Sequence, residues 1–288
     1  MSASRYAVST RLYDTQRLAR QHLQEIAAHG FEAIELVAAR AHFDYRDRAA
    51  VDALGGWLDE TGLALHSVHA PVAESLTGGR RGPAFSTASA DEAVRRQAVD
   101  EATAALEIAR TLPYEFLVVH LGQPDSRRPP ADDNRPDAAR RSIEALCERA
   151  RPLGVRLALE VVPNTLSSAQ SLVRFIEEEL ELPDVGICMD FGHAFLMGDL
   201  LDAVEAASGF LVTAHVHDNN GKADDHLVPL DGAIEWAPAL MATEKIGYDG
   251  AFVMEVAGTA PAARLLSAAG RARRQFERIL SPWPLLQP

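Results

Sequence analysis

Short runs of apolar and β-branched residues recur along the chain, each followed by turn residues and then by a longer stretch whose apolar positions return every three or four residues. The runs fall at 6–9, 33–36, 63–69, 116–121, 156–161, 185–190, 211–217 and 251–256. The stretches read as helices over about 15–29, 47–61, 91–111, 136–151, 167–180, 199–208, 234–246 and 260–280. In the first of these, Leu18, His22, Leu23, Ile26 and Ala27 share one stripe, and Gly30 stands where a helix stop is expected. Gly62, Gly154 and Gly247 likewise precede runs by a few residues, as helix-to-strand turns require.

Strict alternation of strand and helix predicts a parallel sheet, and eight repeats predict closure into a (β/α)8 TIM barrel, a fold of about 250 residues. That single domain accounts for the whole chain, 1–288. A doubly wound open sheet is the alternative, but no G-x-G-x-x-G follows the first run. The Gly/Arg/Pro-rich segments 77–84 and 122–136 lie just after runs and read as long loops of the face where barrels build their sites.

Seven of the eight runs end in an acid or an imidazole: Glu35, His69, His120, Glu160, Asp190, His215 with His217, and Glu255. Lone carboxylates inside a sheet are costly, so their gathering at equivalent ends points to a shared site at the barrel mouth. Side chains alternate faces along a strand, which pairs Glu160 with Ala158, Asp190 with Cys188, His120 with Val118 and Glu255 with Val253 as inward positions. His66 has the opposite parity to His69 and is expected to face the helices. Glu160, Asp190, His215 and Glu255 together offer three carboxylates and one imidazole, a donor set suited to Mn2+, Mg2+, Co2+ or Zn2+.

With 28 Lys and Arg against 41 Asp and Glu, the net charge is −13, which argues against a protein that coats nucleic acid or anionic membrane. Cys147 and Cys188 form no framework and read as reduced core thiols. No apolar leader opens the chain, and no run reaches the roughly 18 apolar residues of a membrane span, so a cytoplasmic protein is expected.

Seven segments, in order and at strand ends, resemble the xylose isomerase-like TIM barrels, a superfamily of sugar isomerases and epimerases that also includes the endonuclease IV type of apurinic-site nuclease. They are Val68-His69-Ala70-Pro71, Val119-His120-Leu121-Gly122, Ala158-Leu159-Glu160, Cys188-Met189-Asp190-Phe191-Gly192-His193, His215-Val216-His217-Asp218-Asn219, Asp224-Asp225-His226-Leu227 and Met254-Glu255. The resemblance implies one metal ion on Glu160, Asp190, His215 and Glu255 in an epimerase-like enzyme. It implies further zinc ligands at His69, His120, His193, Asp224 and His226 in a nuclease-like one, so more than one ion is open.

The charge and the Val72-Ala73-Glu74 that follows Pro71 favour small-molecule chemistry: a metal-dependent isomerase or epimerase of a sugar, sugar phosphate or related hydroxy-carbonyl compound, working through a metal-stabilised enediolate. Glu160 and Glu255 would then be proton acceptor and donor. His193 and His217 are the first choices for substrate oxygens, with Glu35, Asn164 and Lys222 behind them. Trp236 either lies near the ligand or packs the core from a helix start. The arginines at 80–81 and 127–128 are candidates to cap an anionic substrate end. The alternatives are a multi-zinc phosphodiester hydrolase and a sugar-binding barrel without turnover. A homo-oligomer is compatible with every reading.

Overall fold

The computed structural model describes residues 5–74, 82–180, 182–198 and 200–281. Eight strands, β1 (Tyr6–Ser9), β2 (Ala33–Val37), β3 (Ala64–His69), β4 (Phe116–Val119), β5 (Arg156–Glu160), β6 (Val185–Asp190), β7 (Leu211–Val216) and β8 (Phe252–Met254), pair in parallel in sequence order. β8 pairs back to β1 and closes the ring. Outside it lie α1 (Arg20–Ala28), α2 (Arg48–Thr61), α3 (Glu92–Leu106), α4 (Pro136–Ala150), α5 (Ala169–Arg174), α6 (Phe191–Met197), α7 (Leu200–Ala206), α8 (Trp236–Lys245) and α9 (Ala262–Leu280).

The period of two sorts each strand's residues between two cores. Val8, Ile34, Leu36, Leu117, Leu157, Leu159, Ile187, Met189, Ala214 and Val216 point outward into the large cluster shared with the helices. Inside the ring, Ala7, Ala33 and Val253 form one small cluster, and Phe116, Val118, Ala158 and Cys188 another. Small inward residues keep the bore narrow, so the interior is packed and not a channel.

Helix starts follow from the sequence. Asp47, Asp91 and Ser168 accept hydrogen bonds from the free N–H groups that open α2, α3 and α5. Gly62, with φ of 71°, ends α2 in the left-handed region that a side chain resists. Two helical expectations change. The helix placed at 15–29 begins only at Arg20, because a 3-10 turn, Thr10–Tyr13, follows β1 first. The short α6 starts directly at the end of β6, where no helix was expected, with Asp190 as its cap.

The parity argument fails at one place. Between β2 and β3 the register steps from Ile34↔Leu65 to Glu35↔Ser67, leaving His66 as an extra residue. The bulge turns His66 inward and not toward the helices: its Nε2 lies 3.1 Å from Thr213 Oγ1 on β7, and its ring meets Phe116 edge-on. A matching step from Ile187↔Leu211 to Cys188↔Thr213 bulges Val212, which packs against the inner cluster. Gly186 leaves room for it, since a Cβ there would overlap the Val212 side chain. The two extra residues fill the end of the barrel away from the site.

Candidate metal centre at the barrel mouth

The carboxyl ends of the strands deliver their polar residues to one place. Ligand atoms of Glu160, Asp190, His215 and Glu255, all buried, lie within 4.8 Å of one another. Two further groups meet the same limit: His69, His120 and Glu160, and His193, His217, Asp224 and His226. Glu160 belongs to two of the three. Every residue named from the sequence as a metal ligand is therefore in the cluster.

The hydrogen bonds around the histidines fix which nitrogen faces inward. His69 Nδ1 donates to the Ala70 carbonyl at 3.0 Å, His193 Nδ1 to that of Val161 at 3.1 Å, and His226 Nδ1 to that of Glu255 at 2.9 Å. When neutral, each ring turns an Nε2 lone pair toward the acids. His215 is set the other way: its Nε2 donates to Glu35 Oε2 at 2.9 Å, which leaves Nδ1 facing Glu160, Glu255 and Asp190 at 3.5, 3.5 and 3.9 Å. A carboxylate behind a histidine whose other nitrogen faces a set of oxygens is the arrangement that orients a metal ligand.

Several of these atoms have no hydrogen-bond partner despite being buried: Glu160 Oε2, Glu255 Oε2, His215 Nδ1 and His120 Nε2. His120 Nε2 sits only 2.9 Å from Glu160 Oε2, so the two atoms touch without the alignment of a hydrogen bond. Orphaned polar atoms are rare in protein interiors, and lone pairs aimed at a common point fit a cation.

Without a cation, protons balance the acids. Burial alone would push His69 down, but Glu160 and its neighbours raise it to about 9. His193 and His215 are raised well above the usual histidine value in the same way, against the burial that opposes them, by Asp190 and Asp224 for the first and chiefly by Cys188 and Glu35 for the second. On the acid side, burial would raise Glu160, but His120 and His215 hold it well below the ordinary range. Glu35 is held at about 2 despite its burial, chiefly by His215.

Not every candidate substrate contact reaches the opening. A narrow cavity of about 40 Å3 is bounded by the imidazoles of His69, His120, His193 and His226, by Glu160, Asp224 and Glu255, and by Arg11, Val72, Pro124 and Arg127. Glu35 lies below it, fully buried, accepting from His215 and from Ser67 Oγ at 2.9 Å; it holds the His215 ring and does not line the cavity. Asn164 is taken up by backbone: its Nδ2 donates to the Leu121 and Gln123 carbonyls, and its Oδ1 accepts from the Leu166 and Ser167 amides. Trp236 is core, stacked on Phe191 and tilted against Phe276, with Nε1 donating to Asp218 at 2.7 Å. Lys222 is exposed and does not line the cavity. His217 is buried behind it, stacked on His226 with Nε2 on Asp190. Of the loop arginines, Arg127 lines the cavity and Arg128 does not, while Arg80 and Arg81 lie outside the described residues.

Arg11 was missed. It follows the one strand that ends in neither acid nor imidazole, and the 3-10 turn beyond β1 swings it over the mouth, Nη1 3.8 Å from Glu255 Oε1. The vacancy at the end of β1 was the available signal. Close approach also shapes α6: a Cβ on Gly192 would overlap the His217 ring, so only glycine lets that helix start against the site.

Comparison with known proteins agrees with this architecture. The chain is similar to an uncharacterized protein, MJ1311, of Methanocaldococcus jannaschii, 27% identical over 81% of this chain and 77% of that one. It is similar to a D-psicose 3-epimerase of Enterocloster bolteae, 25% identical over 82% of this chain and 76% of the other. Among solved structures, a D-tagatose 3-epimerase-like protein superposes with a TM-score of 0.79 at 25% identity, covering 96% and 98% of the two chains. The IolI protein with a bound zinc atom shares the fold, with a TM-score of 0.78 at 17% identity over 96% and 100%. A family model described as the xylose isomerase-like TIM barrel matches residues 23–276. A match that runs from within α1 to within α9 leaves one assignment: this chain belongs to the xylose isomerase-like TIM-barrel family.

Proposed function

We propose that the protein is a divalent-cation-dependent sugar isomerase or epimerase that moves the proton on the carbon beside the carbonyl of a small hydroxy-carbonyl substrate. The observation that carries this reading is the buried quartet of Glu160, Asp190, His215 and Glu255, with His215 Nδ1 and Glu255 Oε2 unpartnered and directed at one another's neighbourhood. Three carboxylates and an imidazole suit Mn2+, Mg2+, Co2+ or Zn2+. Bound there, such an ion polarises a carbonyl and takes up charge as the neighbouring proton leaves. Glu160 on β5 and Glu255 after β8 then face the substrate from two sides, one to accept the proton and the other to return it. Glu35 and Ser67 keep His215 in place beneath them. The likeness to a D-psicose 3-epimerase over 82% of the chain supports the same class of substrate.

The direct test is isotope exchange. A panel of ketoses, aldoses and their phosphates, incubated in D2O with each of the four ions, should yield a sugar carrying deuterium beside its carbonyl. Failure with every sugar and ion, with binding intact, leaves only a sugar-binding barrel.

A second reading rests on one specific observation, that the donors form three groups and not one. Three cations in a row suit phosphodiester hydrolysis, where clustered ions activate water and neutralise the leaving oxygen. Three tightly held zinc ions per chain together with incision of a duplex at an abasic site would establish it in place of the first. The net charge of −13 supports the first.

Either reading carries a pH dependence. His215, held well above the usual histidine value against its burial chiefly by Cys188 and Glu35, carries a proton at neutral pH, and a ligating ring must give that proton up. Ion affinity should therefore climb as pH rises through neutrality. Calorimetric titration with Mn2+ in two buffers of different ionisation heat should show proton release on loading. Equal apparent heats in the two buffers would contradict it.

A further inference from the structure

Two guanidinium groups stand at the mouth of a site that otherwise consists of acids and imidazoles. Arg11 is largely buried, its side chain 18% exposed, and its Nε has no hydrogen-bond partner. Its one carboxylate contact, Glu255, is a long 3.8 Å. Arg127, at the end of the Asp125–Arg127 turn after β4, has no ion-pair partner among the described residues. Asp224 is the nearby acid with solvent exposure, but its Oδ2 already faces His226 at 3.1 Å and His193 at 3.4 Å. Packing first, and the Arg11 charge second, pull Arg127 below the usual arginine range, so the two cations feel one another.

Glu255 and Asp224 offset part of the Arg11 charge, but Arg127 makes no ion pair among the described residues, so an incoming group of opposite sign gains a partner at this opening. The position matters because the chain as a whole carries −13 and repels small anions, so a local cation pair is what allows one to approach. Guanidinium forks match the planar or tetrahedral oxygens of carboxylate and phosphate, and the resulting charge-assisted bonds are about twice as strong as neutral ones. A neutral sugar would leave Arg127 without an ionic partner and Arg11 with only its long contact to Glu255.

We infer that the substrate carries an oxyanion, a phosphate ester or a carboxylate, that Arg11 and Arg127 receive at the cavity mouth while its hydroxy-carbonyl end reaches the acids below. The inference rests on the proton-transfer reading for the identity of that lower end. Its test reads binding, so the two can fail separately.

The Mn2+-loaded protein is titrated calorimetrically with a ketopentose, the same ketopentose bearing a 5-phosphate, and the matching sugar acid. At least one anion should bind about twentyfold more tightly than the neutral sugar, a factor in keeping with charge-assisted bonding. Which anion does so identifies the source of the oxygens. In R11Q/R127Q the preference should fall toward unity. R127Q alone, altered on an exposed turn, should lower it about fivefold and serves if the double variant does not fold. Equal binding of neutral and anionic sugars by the unaltered protein overturns the inference. So does a preference that survives in both variants, since the anion would then sit on the cation itself. Preference without deuterium exchange leaves the anion site standing and removes the proton-transfer reading.

Discussion

Replacing Glu160 or Glu255 by glutamine should cut deuterium exchange about a thousandfold, roughly 4 kcal/mol of barrier, while the barrel still folds. Glutamine keeps the volume of each side chain and removes the oxygen proposed to take or return a proton. The lesion lies at the strand ends, away from the packed layers beneath. The two variants should differ in ion binding. Glu160 serves two of the three donor groups and Glu255 serves one, so Glu160→Gln should weaken loading more broadly. Exchange is read by mass spectrometry of the recovered sugar, and ion content by elemental analysis after dialysis. Unaltered exchange in either variant would falsify the assignment of proton transfer to this pair.

Asp218→Ala should lower stability by about 3–5 kcal/mol, the range for leaving buried donors without their charged acceptor. Asp218 is fully buried and accepts from the Asn219 amide at 2.9 Å, the Leu230 amide at 3.0 Å, the Ile234 amide at 3.1 Å and Trp236 Nε1 at 2.7 Å. One carboxylate thus closes the loop that runs from β7 to α8, with Leu230 held at φ of 80°. For a domain of this size the melting temperature should drop by about 10 °C. That loop also carries Asp224 and His226, so any ion held by His193, His217, Asp224 and His226 should be lost before one held by the quartet. A thermal melt within about 2 °C of the parent would show that the donors find other acceptors.

Most of this was legible in the sequence because it depends on the kind of residue and on strand phase. Eight runs gave eight strands, and counting by twos placed Ala158, Cys188, Val118 and Val253 inside the ring with the acids above them. His66 escaped because a bulge breaks the count, and nothing local in Ala64-Leu65-His66-Ser67 announces one. The helix at Phe191–Met197 escaped because seven residues are too few to show a helical period. Side-chain partners were harder still to read. Asn164, Trp236 and Glu35 have the right chemistry for a ligand, but hydrogen-bond partners distant in sequence engage them. Arg11 became visible only once the turn after β1 had a direction.

The bulged His66 and Val212 stopper the barrel from below, with Phe116, Val118, Ala158 and Cys188 stacked above them. Among the described residues, this filling leaves the loop-covered face as the approach to the acids and imidazoles. Under the proposed function, a proton taken from the substrate would either return to the same molecule or mix with water at that face. The ratio of internal transfer to isotopic washout would then report how freely water reaches the acids from above.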